Sequence, residues 1–77
     1  MNELIEFIAK SLVDHPDAVR LTEKKKDRLT VLELHVAPGD MGKVIGRQGR
    51  IAKAIRTVLK AYSVKYNTHV VLDIVND

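Results

Sequence analysis

The residues best suited to chemistry in this chain lie between positions 42 and 53. The run Gly42-Lys43-Val44-Ile45-Gly46-Arg47-Gln48-Gly49-Arg50 contains a G-x-x-G core, Gly46 to Gly49. Two glycines three apart let the backbone turn sharply and let a bulky ligand approach closely, because neither has a Cβ. Arg47 and Gln48 stand between them, Arg50 follows, and Lys53 comes one helical turn later. Cations then meet the N-terminal N–H groups of the helix that follows, an arrangement suited to a phosphate backbone. The chemistry expected here is noncovalent: a binding loop for single-stranded nucleic acid.

Other chemistries find little support. The phosphate loop G-x-x-x-x-G-K-[ST] is absent, and Gly42, Gly46 and Gly49 do not make G-x-G-x-x-G. His15, His35 and His69 are far apart in sequence and belong to different elements, so no metal site is expected. Ser11 and Ser63 have no base close in sequence. The chain has no Cys, which removes disulfides, thiol chemistry and Cys-based zinc sites. No catalysis and no cofactor are expected.

Charge placement agrees with the loop. The net charge is only +3, but residues 41–60 hold Lys43, Arg47, Arg50, Lys53, Arg56 and Lys60 with no Asp or Glu. That span carries +6 and the remainder −3, so the positive field is concentrated where a polyanion would be steered. Seventy-seven residues allow one small domain, and a hydrophobic fraction of 45% places it among globular chains. No apolar run approaches the ~18 residues of a membrane span, and no signal segment is evident. A cytoplasmic location is the expectation.

The elements that must position the loop can be read from periodicity. Asn2 is expected to cap a helix to about Val13, with Ile5, Ile8, Ala9 and Leu12 on one stripe. Pro16 ends it near Asp14. Val19 and Leu21 alternate with Arg20 and Thr22 as a short strand, and Lys24-Lys25-Lys26-Asp27 reads as a turn. That turn is read as a solvated loop blunting a sheet edge, ahead of a specific binding site. Arg28 to Val36 predicts a stronger strand, with Leu32, Leu34 and Val36 on one face and Leu29, Val31, Glu33 and His35 on the other. Asp40 is expected to cap a short helix over 41–45, the glycine loop interrupts it, and a long helix runs over 50–66. Asn67-Thr68 is a tight exit to a last strand over 70–75. Phe7, Tyr62 and Tyr66, the only aromatics, are placed on helical core stripes.

The order α-β-β-α-α-β predicts an α+β fold of two layers, a three-stranded sheet with helices on one face. The other face would show Val31, Val71 and Val75 beside Glu33 and Asp73, open to an interaction or merely to solvent.

These residues also carry a resemblance. Val44-Ile45-Gly46-Arg47-Gln48-Gly49 resembles the signature of the KH domain, and a helix and strand before the core resemble the type II arrangement. Ala37-Pro38-Gly39-Asp40-Met41-Gly42 before the signature and Arg50-Ile51-Ala52-Lys53-Ala54-Ile55-Arg56-Thr57 after it are similar to the KhpA family of small bacterial KH-domain RNA-binding proteins. The resemblance covers nearly the whole chain and is weakest over residues 1–27. It implies one KH domain over residues 1–77, with a core at 28–77 and an N-terminal helix and strand extension at 2–23.

The resemblance further implies a mechanism, in which the loop clamps a sugar–phosphate backbone and bases face a shallow apolar groove. Gly46 and Gly49 would give close backbone approach, and Arg47 and Gln48 would face phosphates. Gly42 and Lys43 would sit beside the first nucleotides. Ile45 and Ala52 would lie along the groove, with the last strand as its opposite wall; for Ile45, core packing is an equal reading. Arg50 and Lys53 would add general attraction, whereas Arg56 and Lys60 read as a solvated helix face. The family resemblance also implies self-association or pairing with a larger KH protein of the KhpB/Jag type. RNA chaperone or post-transcriptional regulatory roles tied to cell division and cell-wall growth are implied in the same way. The rival expectation is a protein-interaction scaffold with RNA contact secondary or absent.

Overall fold

A computed structural model describes residues 1–76. Helix α1 spans Asn2–Leu12, strand β1 Arg20–Lys26 and strand β2 Leu29–Val36. Helix α2 spans Met41–Ile45, helix α3 Arg50–Lys65 and strand β3 His69–Asn76. Single 3-10 turns at Pro16–Ala18, Pro38–Asp40 and Arg47–Gly49 join them. The element order is the one the periodicity predicts, and the architecture is α+β, a three-stranded sheet packed against helices.

The sheet order is β1-β2-β3, with β1 antiparallel and β3 parallel to the central β2. Register places Leu34 opposite Leu21 and Ile74, and Leu32 opposite Leu72, so these side chains share the covered face. There they meet Ile5 and Ala9 of α1, Val44 of α2, and Ile55 and Leu59 of α3 in one buried cluster. Every helix thus inserts at least one aliphatic side chain into the same core, which fixes the helices relative to the sheet.

Local readings of the chain start, the lysine run and two aromatics differ from the structure. Asn2 lies within the first turn of α1 and Met1 occupies the cap position without a side-chain bond, its carbonyl accepting the Ile5 N–H at 3.2 Å. The lysine run is strand: β1 continues through Lys24, Lys25 and Lys26, and only Asp27 and Arg28 form the turn. Pairing with β2 supplies the hydrogen bonds that lysines alone do not specify, and Asp27 takes the positive φ (56°) the tight turn needs. Phe7 is 68% exposed, because it lies about 200° around the helix from the buried Ile5. Tyr66 is 58% exposed, since it follows the last turn of α3; its ring packs on Tyr62, centroids 4.6 Å apart, with Lys65 Nζ 5.5 Å from its centroid.

The uncovered face of the sheet is more polar than its valines suggested. Glu33 accepts from the Thr22 hydroxyl at 3.3 Å and pairs with Lys24 at 3.3 Å, and His35 Nε2 lies 3.4 Å from Thr22 Oγ1. The exposed large apolar side chains lie mostly on the helices, among them Leu4, Phe7, Val58 and Val64.

Candidate nucleic-acid interface

The loop is held from behind by Asp40. Asp40 does not cap α2 with its side chain, as its position had suggested; it is 1% exposed and turns back to the segment after α1. Its Oδ1 accepts the Asp14 N–H at 3.2 Å and its Oδ2 the His15 N–H at 3.0 Å. Burial pushes the carboxyl pKa up, but these two backbone donors, with His15 and Lys43 nearby, outweigh it and hold the group below its ordinary range. Lys43 closes the cluster, its Nζ 3.2 Å from Asp14 Oδ2 and 3.7 Å from Asp40 Oδ1. The Asp14 carboxylate, helped by Asp40 and opposed by desolvation, holds the Lys43 ammonium above its usual pKa. The chain between α1 and β1 is thereby latched to α2, and Val44 anchors α2 in the core.

With α2 fixed, the turn follows from backbone geometry. The Gly46 N–H closes α2 on the Gly42 carbonyl at 2.9 Å, and the Gly49 N–H returns to the Gly46 carbonyl at 3.0 Å. Gly46 has φ 81° and ψ 169°, a region essentially reserved for glycine. A Cβ there would lie 2.6 Å from Ile51 Cγ1 and 2.9 Å from the Ile51 backbone nitrogen, so Ile51 of α3 occupies the space a side chain would need. Gln48 (φ 58°) and Gly49 (φ 73°) are both left-handed, and they turn the chain into α3. Arg47 and Gln48 are exposed at the tip, and the Gln48 side-chain oxygen accepts from Arg50 Nη2 at 3.3 Å.

Beyond the tip, α3 runs alongside β3. Lys53, Arg56 and Lys60 are spaced three and four apart, so they form one row on the helix. The Arg56 guanidinium donates to the Leu72 carbonyl of β3 at 3.4 Å, bridging helix and strand. A concavity of about 690 Å³ opens beside it, with Arg56 and Lys60 on its helix wall and Leu59, Val70 and Leu72 among its apolar lining. The end of α3 is closed by backbone bonds from Thr68 to Ser63 (2.9 Å) and from Asn67 to Val64 (3.4 Å), with Asn67 at φ 50°. The Ser63 hydroxyl then accepts the Val70 N–H at 2.9 Å and sets the start of β3 against the helix.

The structure brings Gly46, Arg47, Gln48, Gly49 and Arg50 together as one turn, with Gly42 exposed on α2 beside it. Ile45 is half-buried, between its two readings. Ala52 is 2% exposed and offers the groove almost no surface, because the first turn of α3 packs it inward. Lys43 is present at the site, but its charge is already matched by Asp14 and Asp40. Arg56 and Lys60, read from sequence as a solvated face, line the concavity. Their three-and-four spacing was visible in the sequence; that β3 lies beside that row was not. No group of three or more metal-ligating side chains occurs among the described residues, and none of their helices is long and apolar enough to cross a membrane.

The family described as KhpA/KhpB, KH domain, matches residues 2–74. The RNA-binding protein KhpA of Clostridium acetobutylicum is 61% identical over 75 residues, 97% of this chain and 100% of its own. Those of Clostridium perfringens, at 59% over the same shares, and Borreliella burgdorferi, at 54% over 96% of this chain and 90% of its own, are similar throughout. Among solved structures, Era of Aquifex aeolicus bound to GDP and AlF4− superposes with a TM-score of 0.56 at 15% identity. That match covers 97% of this chain and only 29% of Era, a likeness of fold.

Proposed function

Because the chain belongs to the KhpA/KhpB family of KH domains, we propose that it binds single-stranded RNA at the Gly46–Gly49 turn, without catalysis and in the cytoplasm. The observation that carries this reading is the backbone at Gly46, Gln48 and Gly49, which presents Arg47 and Gln48 to solvent at the start of α3. A phosphate at the tip meets the Arg47 guanidinium, with Arg50 and Lys53 adding attraction. Gly42 leaves room beside the turn, since no atom lies within 4 Å of where its Cβ would be. Bases then lie toward the apolar lining between α3 and β3, and β3, a sheet edge, has backbone groups that can read them. Relatives named RNA-binding proteins support the ligand class.

The test is anisotropy of labelled oligouridine RNA against salt, comparing the protein with an Arg47→Asp, Gln48→Asp variant whose fold is checked by circular dichroism. The clamp reading expects the variant to lose the salt-sensitive binding. Equal binding by a folded variant would move the ligand elsewhere.

A second reading rests on a separate surface. Between α1 and α3, Met1, Leu4, Ile8, Ile51, Ala54 and Val58 line a concavity of about 310 Å³ that is almost wholly apolar. This supports self-association, or pairing with a larger KH protein of the KhpB/Jag type, as a means of raising a modest single-site affinity. An RNA chaperone or regulator linked to cell division and cell-wall growth would act in such an assembly. Sedimentation of a Val58→Glu variant decides whether this surface carries it: an unchanged oligomeric state would exclude it.

A further inference from the structure

We infer that the nucleic-acid path continues beyond the turn and groove to the β1–β2 hairpin, where Lys25 and Arg28 take phosphates of the strand leaving the groove; the inference rests on the clamp reading above. Three observations carry it.

The first is continuity. The concavity between α3 and β3 shares Asn67, Thr68 and His69 with a second one of about 710 Å³, whose remaining lining includes Lys25, Asp27 and Arg28. A strand laid from the loop along α3, about 24 Å long, reaches the end of the first concavity at the residues it shares with the second.

The second is register. Leu29 pairs with both Lys26 and His69, and Thr30 with both Lys25 and Val70. The antiparallel and parallel ladders therefore bring the hairpin tip level with the start of β3, at the end of α3 remote from the glycines. A KH clamp holds about four nucleotides, so cations at this remote end serve a longer strand.

The third is charge balance. Lys43 is matched by Asp14 and Asp40, and Lys24 by Glu33. No ion pair to Lys25, Lys26 or Arg28 occurs among the described residues, and all three are exposed. Asp27 is the one carboxylate lining the trough, against Lys25, Arg28 and the hydrogen-bonding groups of Asn67 and His69. Unmatched cations within about 8 Å of a polyanion's path attract it at physiological salt.

The experiment measures binding of oligouridylates of about 4, 8 and 12 nucleotides across a salt series. It uses the whole protein, a Lys25→Gln, Arg28→Gln variant, the Arg47→Asp, Gln48→Asp variant and a Lys10→Gln control on α1. The hairpin variant is expected to bind the shortest RNA as the native protein does. It should lose about three- to tenfold on the longest, with the logarithmic salt slope reduced by about 1.4, two single-strand phosphate contacts. The control should show neither change. An undiminished gain with length in the hairpin variant would overturn the inference and assign that gain to a second protomer or to general charge. An equal loss in the control would overturn it too. Failure of the clamp reading looks different: the shortest RNA would bind regardless of Arg47 and Gln48, or not at all, and the extension would fall with it.

Discussion

At its N-terminal end α3 meets a turn whose shape is set by backbone, and at its C-terminal end it faces a hairpin whose character is set by side chains. The turn depends on a glycine that nothing else can replace and on a buried aspartate latching α2 to the chain after α1. Its nearest preceding cation, Lys43, is spent in that latch. The hairpin has an ordinary ladder, a two-residue turn and several cations without carboxylate partners among the described residues. Positive charge counted along the chain favours the first end; pairing in three dimensions moves some of it to the second. A cation held by a carboxylate is a structural element, whereas an unpaired one is free for a ligand.

Substitutions at the two ends should therefore behave differently. Gly46→Ala is the most severe, since the backbone strain alone costs about 1–3 kcal/mol and Ile51 must also move. Denaturant unfolding should show that loss with RNA binding failing alongside, and a native-like midpoint would mean the turn relaxes without its glycine. Asp40→Asn comes next and is best read against pH. The Asp40 pKa is depressed in the fold, so its stabilisation is present above the ordinary value of 3.8 and is lost as pH falls through the lower folded value. The variant should have a lower Tm at neutral pH and a flatter acid limb; parallel curves would remove Asp40 from the latch. For Lys43 the sign is opposite: its contribution is complete below 10.5 and is lost as pH rises through the raised value.

Gly49→Ala is milder, about 1–2 kcal/mol, because the left-handed backbone is disfavoured but the surrounding space is empty. A loss as large as that of Gly46→Ala would contradict the empty space. Gly42→Ala should raise stability by about 0.5–1 kcal/mol, since the helix gains and nothing is within 4 Å. RNA affinity should fall nonetheless; unchanged affinity would take Gly42 out of the interface. At the hairpin, Lys26→Gln should change stability by less than about 0.5 kcal/mol. A larger change by calorimetry would give the hairpin lysines a folding role and weaken the contrast.

The legible parts of the site were those written in local sequence. Gly46 and Gly49 mark the turn because few other residues reach their dihedral angles, and the Val44-Ile45 pair before them marks the helix they end. Asp40 was legible as a helix-start residue but not as a latch, because its partners Asp14 and His15 lie 26 and 25 positions away. The surroundings of Ala52 and Arg56 were illegible for a similar reason. Both fall on the basic helix, and only the packed fold shows that Ala52 is buried while Arg56 reaches across to the Leu72 carbonyl of β3. Phe7 and Tyr66 show the limit of composition: an aromatic near a helical stripe is not thereby on its buried arc.

By itself the sequence determined the element order, the inward row of Leu32, Leu34 and Val36, the glycine turn and the family. Each is set by dihedral preference or by a periodicity of a few residues, which neighbours in the chain suffice to impose. The tertiary structure alone decided which cations are neutralised, which face of α3 borders β3, and that the hairpin tip stands level with the start of β3. Those depend on strand register and on charge pairs between residues distant in the chain. Their energies arise only when the sheet has formed and the segment after α1 has been latched to α2.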